Sequence, residues 1–185
     1  FLAGKLLAGI DLRDYGSGST GATNVLRNVG KKAALVVFLI DLSKGIISIL
    51  ITKYMLELSE PLQVIAGIGS LAGHIWPVWL KFKGGKAVAT GLGVFLGISW
   101  TVALASFSTF LITFAFSRTV SFSSICAAIS LPIFMILSFQ IIPGQETSLA
   151  YLSISILAMF LVIWRHKDNI NRLIKNQEPK IGKNN

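Results

Sequence analysis

The chain has 185 residues, 53% of them hydrophobic and only 14% charged, with a mean hydropathy of +0.70. A soluble domain carries about 25% charged residues, so a soluble fold is excluded and a polytopic membrane protein is expected. A single Cys126 excludes a disulfide framework and a cysteine-ligated zinc site, and two histidines, His74 and His166, leave little scope for a histidine metal cluster.

The formal charge is +9, from 17 Lys and Arg against 8 acids. Such a surplus could suit nucleic acid. Here the cations crowd into segments flanking apolar spans, as in the cytoplasmic loops of membrane proteins, and a nucleic-acid partner is set aside.

The first apolar run, 1–10, is roughly half the length a bilayer crossing needs. It lacks the features of a signal peptide and is read as the tail of a truncated first transmembrane helix. Residues 11–32 are polar and glycine-rich, holding Arg13, Arg27, Lys31 and Lys32. An apolar span follows over 33–56, interrupted by Asp41, Lys44 and Lys53. A short acidic turn from Glu57 to Pro61 precedes a span from Leu62 to Leu80, and Lys81, Lys83 and Lys86 mark the basic loop 81–86. Residues 87–117 carry no charge, and Gly97-Ile98-Ser99-Trp100 offers a break into two helices. Arg118 precedes a span at 122–139. The loop 141–147 contains Pro143, Gly144 and Glu146, and a last span, 148–164, runs into the basic tail 165–185. The last dozen residues, ending Gly182-Lys183-Asn184-Asn185, are expected to fray.

Charge parity decides whether 87–117 crosses once or twice. Two crossings put 11–32, 81–86, Arg118 and the tail on one side and the acid-bearing turns 57–61 and 141–147 on the other, as the positive-inside bias prefers. A single crossing would turn the tail, with its six Lys and Arg, outward. The expected architecture is all-α: one membrane-embedded domain over 1–185, a helical bundle of six spans plus the truncated seventh. Residues 11–32, 81–86 and 165–185 are expected to be cytoplasmic.

Two loops look suited to phosphate. In Ser17-Gly18-Ser19-Thr20-Gly21-Ala22-Thr23-Asn24-Val25-Leu26-Arg27, glycines permit close backbone approach and hydroxyls and a guanidinium favour an anion. Thr23 or Asn24 can cap a helix starting near Val25, which would place Arg27 near a helix N-terminus where the dipole also favours an anion. In Phe82-Lys83-Gly84-Gly85-Lys86, two glycines between cations before a helix resemble an anion nest, although the spacing is not that of a Walker A loop. The alternative for the first loop is a solvated hairpin. For His74, in an apolar helix, it is a structural hydrogen bond. Asp41 and Lys44, at i and i+3 inside a span, are either a self-neutralised pair that orders the bundle or a functional site, and both readings stay open. His166, Asn169 and Arg172 share one helical face after the last span, where a lipid-touching basic helix is the alternative.

In order and spacing these segments resemble the bacterial acyl-phosphate-dependent glycerol-3-phosphate acyltransferases, the PlsY family. The family has a Ser-Gly-Asn-x-Gly-Ala-Thr-Asn-x-x-Arg loop, an Asp-x-x-Lys-Gly helix and a Gly-His-x-x-Pro…Phe-Lys-Gly-Gly-Lys-Gly-Val-Ala-Thr segment, with a His-x-x-Asn-Ile-x-Arg-Leu tail. Two positions depart: Ser19 stands for the motif's Asn and Ala87 for its third glycine. The resemblance implies seven transmembrane helices in a bacterial inner-membrane enzyme of phospholipid synthesis. The reaction implied is acyl transfer from acyl phosphate to the sn-1 hydroxyl of glycerol 3-phosphate, giving lysophosphatidic acid and inorganic phosphate. It implies no cofactor and no metal, membrane lipid as surroundings, and functional coupling to an acyl-phosphate-forming enzyme. By position, Ser17, Arg27 and Lys86 would hold phosphate groups, with Gly18 and Asn24 in the same loop. Ser19, Ser121, His166 and Asn169 would orient glycerol phosphate. Lys86, His166 and Arg27 are the catalytic candidates, and Asp41, Lys44, His74, Lys83, Gly84 and Gly85 are structural or functional candidates. The proton of the attacking hydroxyl would pass to substrate phosphate or to His166.

A transporter of a small phosphorylated anion is the rival reading, since cations at helix ends also suit permeation. Transporters place charge or broken helices near mid-membrane on several spans, whereas here only Asp41 and Lys44 lie so deep. A lipid-binding scaffold would explain the basic tail but not the hydroxyl-rich glycine loop.

Overall fold

The structure, a computed structural model, describes residues 1–141 and 148–182. The acid-bearing turn around Glu146 and the fraying of residues 183–185 lie outside the described residues. Helices α1 (Leu2–Ala8) and α2 (Ala22–Asn28) flank a 3₁₀ turn, Leu12–Asp14. Then come α3 (Lys31–Leu50), continued by a π-helical turn (Ile51–Met55), and α4 (Glu60–Ile75), followed by a second 3₁₀ turn, Val78–Leu80. The remainder is α5 (Val88–Ile98), α6 (Trp100–Ser117), α7 (Val120–Ile141), α8 (Leu149–Arg165) and α9 (Lys167–Ile174).

Lys31–Met55, Trp100–Ser117 and Val120–Gln140 are each long and apolar enough to cross a membrane, and α8 with α9, bent by 60°, pass together. Helix α5, with 11 residues, is about 17 Å long at 1.5 Å per residue, shorter than a hydrocarbon core of about 30 Å. It packs against α3, α4, α6 and α8 rather than against lipid. The span expected over 62–80 stops at Ile75. Pro77 cannot supply an N–H to a continuing helix and biases Trp76 away from helical angles.

The apolar stretch 87–117 breaks at Ser99, whose backbone is extended (φ −149°, ψ 100°). Helices α3 and α5 run parallel, because a Cβ on Gly45 would meet the backbone of Thr90, one on Gly93 the carbonyl of Leu42, and one on Gly97 the side chain of Ile49. In lipid, where apolar surface gains little by association, such small-residue contacts let backbones pack closely. The register carries α5 from the lysine loop to the far end, where Lys53 Nζ donates to the carbonyl of Ile98 at 3.4 Å, and α6 returns.

The basic segments therefore converge on one face. Arg13 Nη1 donates to the carbonyl of Leu80 at 3.3 Å, Arg165 Nε to that of Gly85 at 3.2 Å, and the Ile181 amide to that of Arg118 at 2.9 Å. At the opposite end the Tyr151 hydroxyl donates to Gln63 Oε1 at 2.6 Å. The stretch 87–117 is thus two helices that run out and back, as charge parity expected, although α5 alone is shorter than a hydrocarbon core. The tail differs from expectation: up to residue 182 it is not frayed but folded back across the basic face, with Glu178 buried.

Phe95, Val94, Leu71, Ile75, Ile49 and Ile154 form the core between α3, α4, α5 and α8. Leu35, Leu39, Ile65, Phe116 and Phe160 are exposed on the outside, as lipid-facing positions should be.

Candidate active site

The first loop is built around one amide. Asn24 is 1% exposed. Its Nδ2 donates to the carbonyls of Leu12, Tyr15 and Ser19 at 2.9 to 3.0 Å, and its Oδ1 accepts the Ser17 N–H at 3.1 Å. Gly16 and Gly18 take the left-handed angles (φ 58° and 65°) that wrap the chain around it. Helix α2 starts at Ala22, three residues before the expected Val25, with Gly21 at the cap and no capping side chain. Thr23 and Asn24 thus lie in the first turn, and Arg27 lies in the last turn rather than near the N-terminus. The Asn24 side chain is spent on holding the loop, although Asn24 borders the cavity together with Ser17, Ser19 and Arg27.

The lysine loop is built differently. The Gly84 and Gly85 amides donate to the carbonyls of Ile75 and His74, both at 3.1 Å. Those N–H groups bond the end of α4, so the loop is not an anion nest. Neither glycine has a positive φ; a Cβ on Gly84 would strike the His74 carbonyl, and one on Gly85 the His74 ring. His74 in turn lies 3.1 Å from Thr90 Oγ1 and 3.5 Å from Asp41 Oδ1 through its Nδ1, and Lys44 Nζ donates to Asp41 Oδ1 at 2.8 Å. Lys83 is exposed, and Lys44 is outside the cavity wall. Ala87 caps α5 with φ 56°, the left-handed region that the glycine of the resembled motif would occupy freely.

The third element is the α8–α9 joint. His166 Nδ1 lies 2.7 Å from the Val162 carbonyl; a carbonyl only accepts, so Nδ1 carries the proton and Nε2 is left as an acceptor. Burial, reinforced by the nearby Lys86 charge, lowers the His166 pKa to about 4, so the imidazole is neutral at ordinary pH. Lys86 Nζ donates to Asn169 Oδ1. Burial lowers the Lys86 pKa to about 8; Glu178 works against that shift, while Arg172, Arg165 and Arg27 add to it.

Glu178 was not singled out by sequence. Its Oε1 accepts from Ser121 Oγ at 2.8 Å and Asn169 Nδ2 at 2.6 Å, and its Oε2 from Arg172 Nε at 2.7 Å. Burial alone would raise its pKa, but those hydrogen bonds outweigh burial and hold the carboxyl below its usual range. The available signal was an acid, one of two with Asp168, in a tail carrying six Lys and Arg.

Ser17, Ser19, Arg27, Lys86, Ser121, His166 and Asn169 line a single cavity of about 160 Å³, together with Asp41, His74 and Glu178. Gly18, Lys83, Gly84 and Gly85 lie outside its wall. A second, apolar cavity of about 110 Å³ shares with it Phe38, Ala87, Val88, Ala89, Phe110 and Ser124. A polar chamber with cations and an acceptor imidazole thus adjoins a greasy one. Among the described residues no group of three His, Cys, Asp or Glu is arranged to hold a metal.

The sequence model of the family "Glycerol-3-phosphate acyltransferase" matches residues 1–176. A glycerol-3-phosphate acyltransferase of Prochlorococcus marinus (strain MIT 9211) is 63% identical over 185 residues, covering 99% of this chain and 87% of that protein. Among solved structures, PlsY (YgiH), an integral membrane glycerol 3-phosphate acyltransferase, in its glycerol 3-phosphate form superposes with a TM-score of 0.85 at 38% identity, covering 98% of this chain and 88% of that one. Its lysophosphatidic acid form superposes with a TM-score of 0.79 at 40% identity, over 90% and 82% of the two chains. With a family model matched over residues 1–176 and relatives at least 55% identical along nearly the whole chain, this chain belongs to the glycerol-3-phosphate acyltransferase family.

Proposed function

We propose that the protein transfers a fatty acyl group from acyl phosphate to the sn-1 hydroxyl of glycerol 3-phosphate, at the cytoplasmic face of a bacterial inner membrane, with its C-terminus cytoplasmic. The observation that carries this reading is the convergence of Ser17, Arg27, Lys86, Ser121, His166 and Asn169, from four separated segments, on one cavity that abuts an apolar one. Relatives bound to glycerol 3-phosphate and to lysophosphatidic acid support the acceptor and product.

Acyl phosphate is a mixed anhydride with a good leaving group, so no enzyme nucleophile is needed. The acceptor hydroxyl oxygen attacks the carbonyl carbon, the carbon–oxygen bond to phosphorus breaks, and inorganic phosphate departs. Lys86 and Arg27 stabilise charge on the phosphate groups, Lys86 more strongly for being desolvated. His166, neutral and with Nε2 unprotonated, accepts the hydrogen bond of the attacking hydroxyl and orients it; the proton ends on Nε2 or on substrate phosphate. Proximity can contribute up to about 7–11 kcal/mol.

The test is phosphate release by the purified protein from palmitoyl phosphate with and without glycerol 3-phosphate. Release that depends on the acceptor, with lysophosphatidic acid as co-product, is expected. A transporter would show none. His166→Ala retaining full turnover would remove the imidazole from this role.

A further inference from the structure

The apolar cavity contains one anomaly. Its wall is made of alanines, glycine, leucines, valines and phenylalanines, yet Ser106 of α6 sits in it, 4% exposed, and among the described residues Ser106 Oγ is the one buried side-chain polar atom without a hydrogen-bond partner. Its neighbours on the same helix behave otherwise. Ser108, Thr109 and Thr113 donate back to the carbonyls of Leu104, Ala105 and Thr109. The other cavity hydroxyl, Ser124, donates to the carbonyl of Val120. Back-bonding of this kind is the ordinary fate of a hydroxyl in an apolar helix, and leaving one unmade costs a full desolvation penalty.

Position gives the anomaly meaning. Phe110 lines both cavities, whereas Ser106, one turn earlier, lines only the apolar one. At 1.5 Å per residue that is about 6 Å farther along α6 from the polar chamber.

We propose, resting on the acyl-transfer reading above, that the apolar cavity takes the donor's alkyl chain and that Ser106 selects among chains by length. With the cavity empty the Ser106 hydroxyl is already closed off, and a saturated chain that stops short of it leaves space in which the side chain can turn to a water or to its own helix. A chain packed past it seals the hydroxyl against methylenes that neither donate nor accept. The site therefore disfavours long saturated chains relative to short ones. Ser106 is a specificity-determining residue, distant from the bonds that change.

The experiment compares the full chain with its Ser106→Ala, Ser106→Cys and Ser108→Ala variants. Glycerol-3-phosphate-dependent phosphate release is measured over a ladder of saturated acyl phosphates from decanoyl to stearoyl. Ser106→Ala should raise kcat/KM about tenfold for the longest donors, the size of one unmade hydrogen bond, and leave the shortest within about twofold, moving the preferred length upward. Cysteine is larger than serine but pairs weakly, so Ser106→Cys should move the preference in the same direction if polarity governs. An unmoved or oppositely moved profile for Ser106→Cys would assign the effect to volume and overturn the proposal. A uniform change across the ladder for Ser106→Ala, or a profile that also moves in Ser108→Ala, overturns it as well. In each case acyl transfer itself stands. If the wild-type protein releases no acceptor-dependent phosphate from any donor, the reaction falls instead.

Discussion

The two glycine-rich loops read alike as sequence and are built on opposite principles. In the first, Gly16 and Gly18 supply left-handed turns so that the chain can encircle the Asn24 amide. In the second, Gly84 and Gly85 have ordinary angles and are small because the end of α4 lies against them, with His74 pressed on Gly85. One loop uses glycine for angle and the other for space. A run of glycines beside cations therefore says where backbone must be permissive, not that its amides meet an anion; here the cations that reach the cavity wall are the side chains of Arg27 and Lys86.

The largest expected effect removes those side chains. Lys86→Ala or Arg27→Ala should each lower kcat/KM by about 10²–10³, the usual loss for a charge-stabilising group, with membrane insertion unchanged by proteolytic topology mapping. Unchanged activity in both would dissolve the contrast, since neither loop would then present a working cation.

Gly85→Ala and Gly18→Ala set space against angle directly. The Gly85 substitution must displace the loop or His74 and with it Lys86, and should raise KM for glycerol 3-phosphate about tenfold or more. The Gly18 substitution strains one left-handed residue, costing about 1–2 kcal/mol of stability with KM little altered. Equal KM defects would show the loops to be alike after all.

The pH dependence isolates the lysine loop. With Lys86 titrating near pH 8 in the free site, a phosphate anion binds its protonated form, so kcat/KM for glycerol 3-phosphate should fall as pH rises through about 8. Lys86→Arg, whose guanidinium stays charged, should erase that alkaline limb. The stability effect has the opposite sign: a buried ammonium penalises the folded state below about pH 8, and the penalty fades as pH climbs towards the ordinary lysine range. Alkaline loss of activity without loss of fold is therefore expected. His166 titrates near pH 4 and should contribute no acid limb between pH 5 and 7.

The smallest effect concerns Ala87. Restoring glycine relieves left-handed strain of about 1–2 kcal/mol. It also removes a buried methyl worth about 0.8 kcal/mol and adds unfolded-chain entropy of about 0.4–1 kcal/mol. Ala87→Gly should shift stability by less than about 1 kcal/mol in a denaturation series.

What could be read in the sequence follows from what each signal measures. Charge parity gave the break into two helices at Ser99 and the gathering of 11–32, 81–86 and the tail on one face. Motif order pointed to Ser17, Arg27, Lys86, His166 and Asn169, and position in the resembled family to Ser121; the structure brings all six to one cavity wall. Local chemistry was harder. The start of α2 was misplaced because Asn24 looked like a cap, when its amide serves Leu12, Tyr15 and Ser19 across a loop that closes only in three dimensions. Glu178 escaped because a basic, polar tail carries no apolar periodicity, and what orders it is hydrogen bonding to Ser121, fifty-seven residues earlier in sequence. Ser106 has no sequence signature, since an unpaired hydroxyl differs from a paired one only by rotamer and surroundings.

The returning tail also ties the site to the end of synthesis. Glu178 lies beyond α9, so synthesis reaches Ser121, Asn169 and Arg172 before the carboxylate that joins them. A chain stopped short of Glu178 would leave Ser121, Asn169 and Arg172 without the carboxylate that joins them at the mouth of the polar chamber.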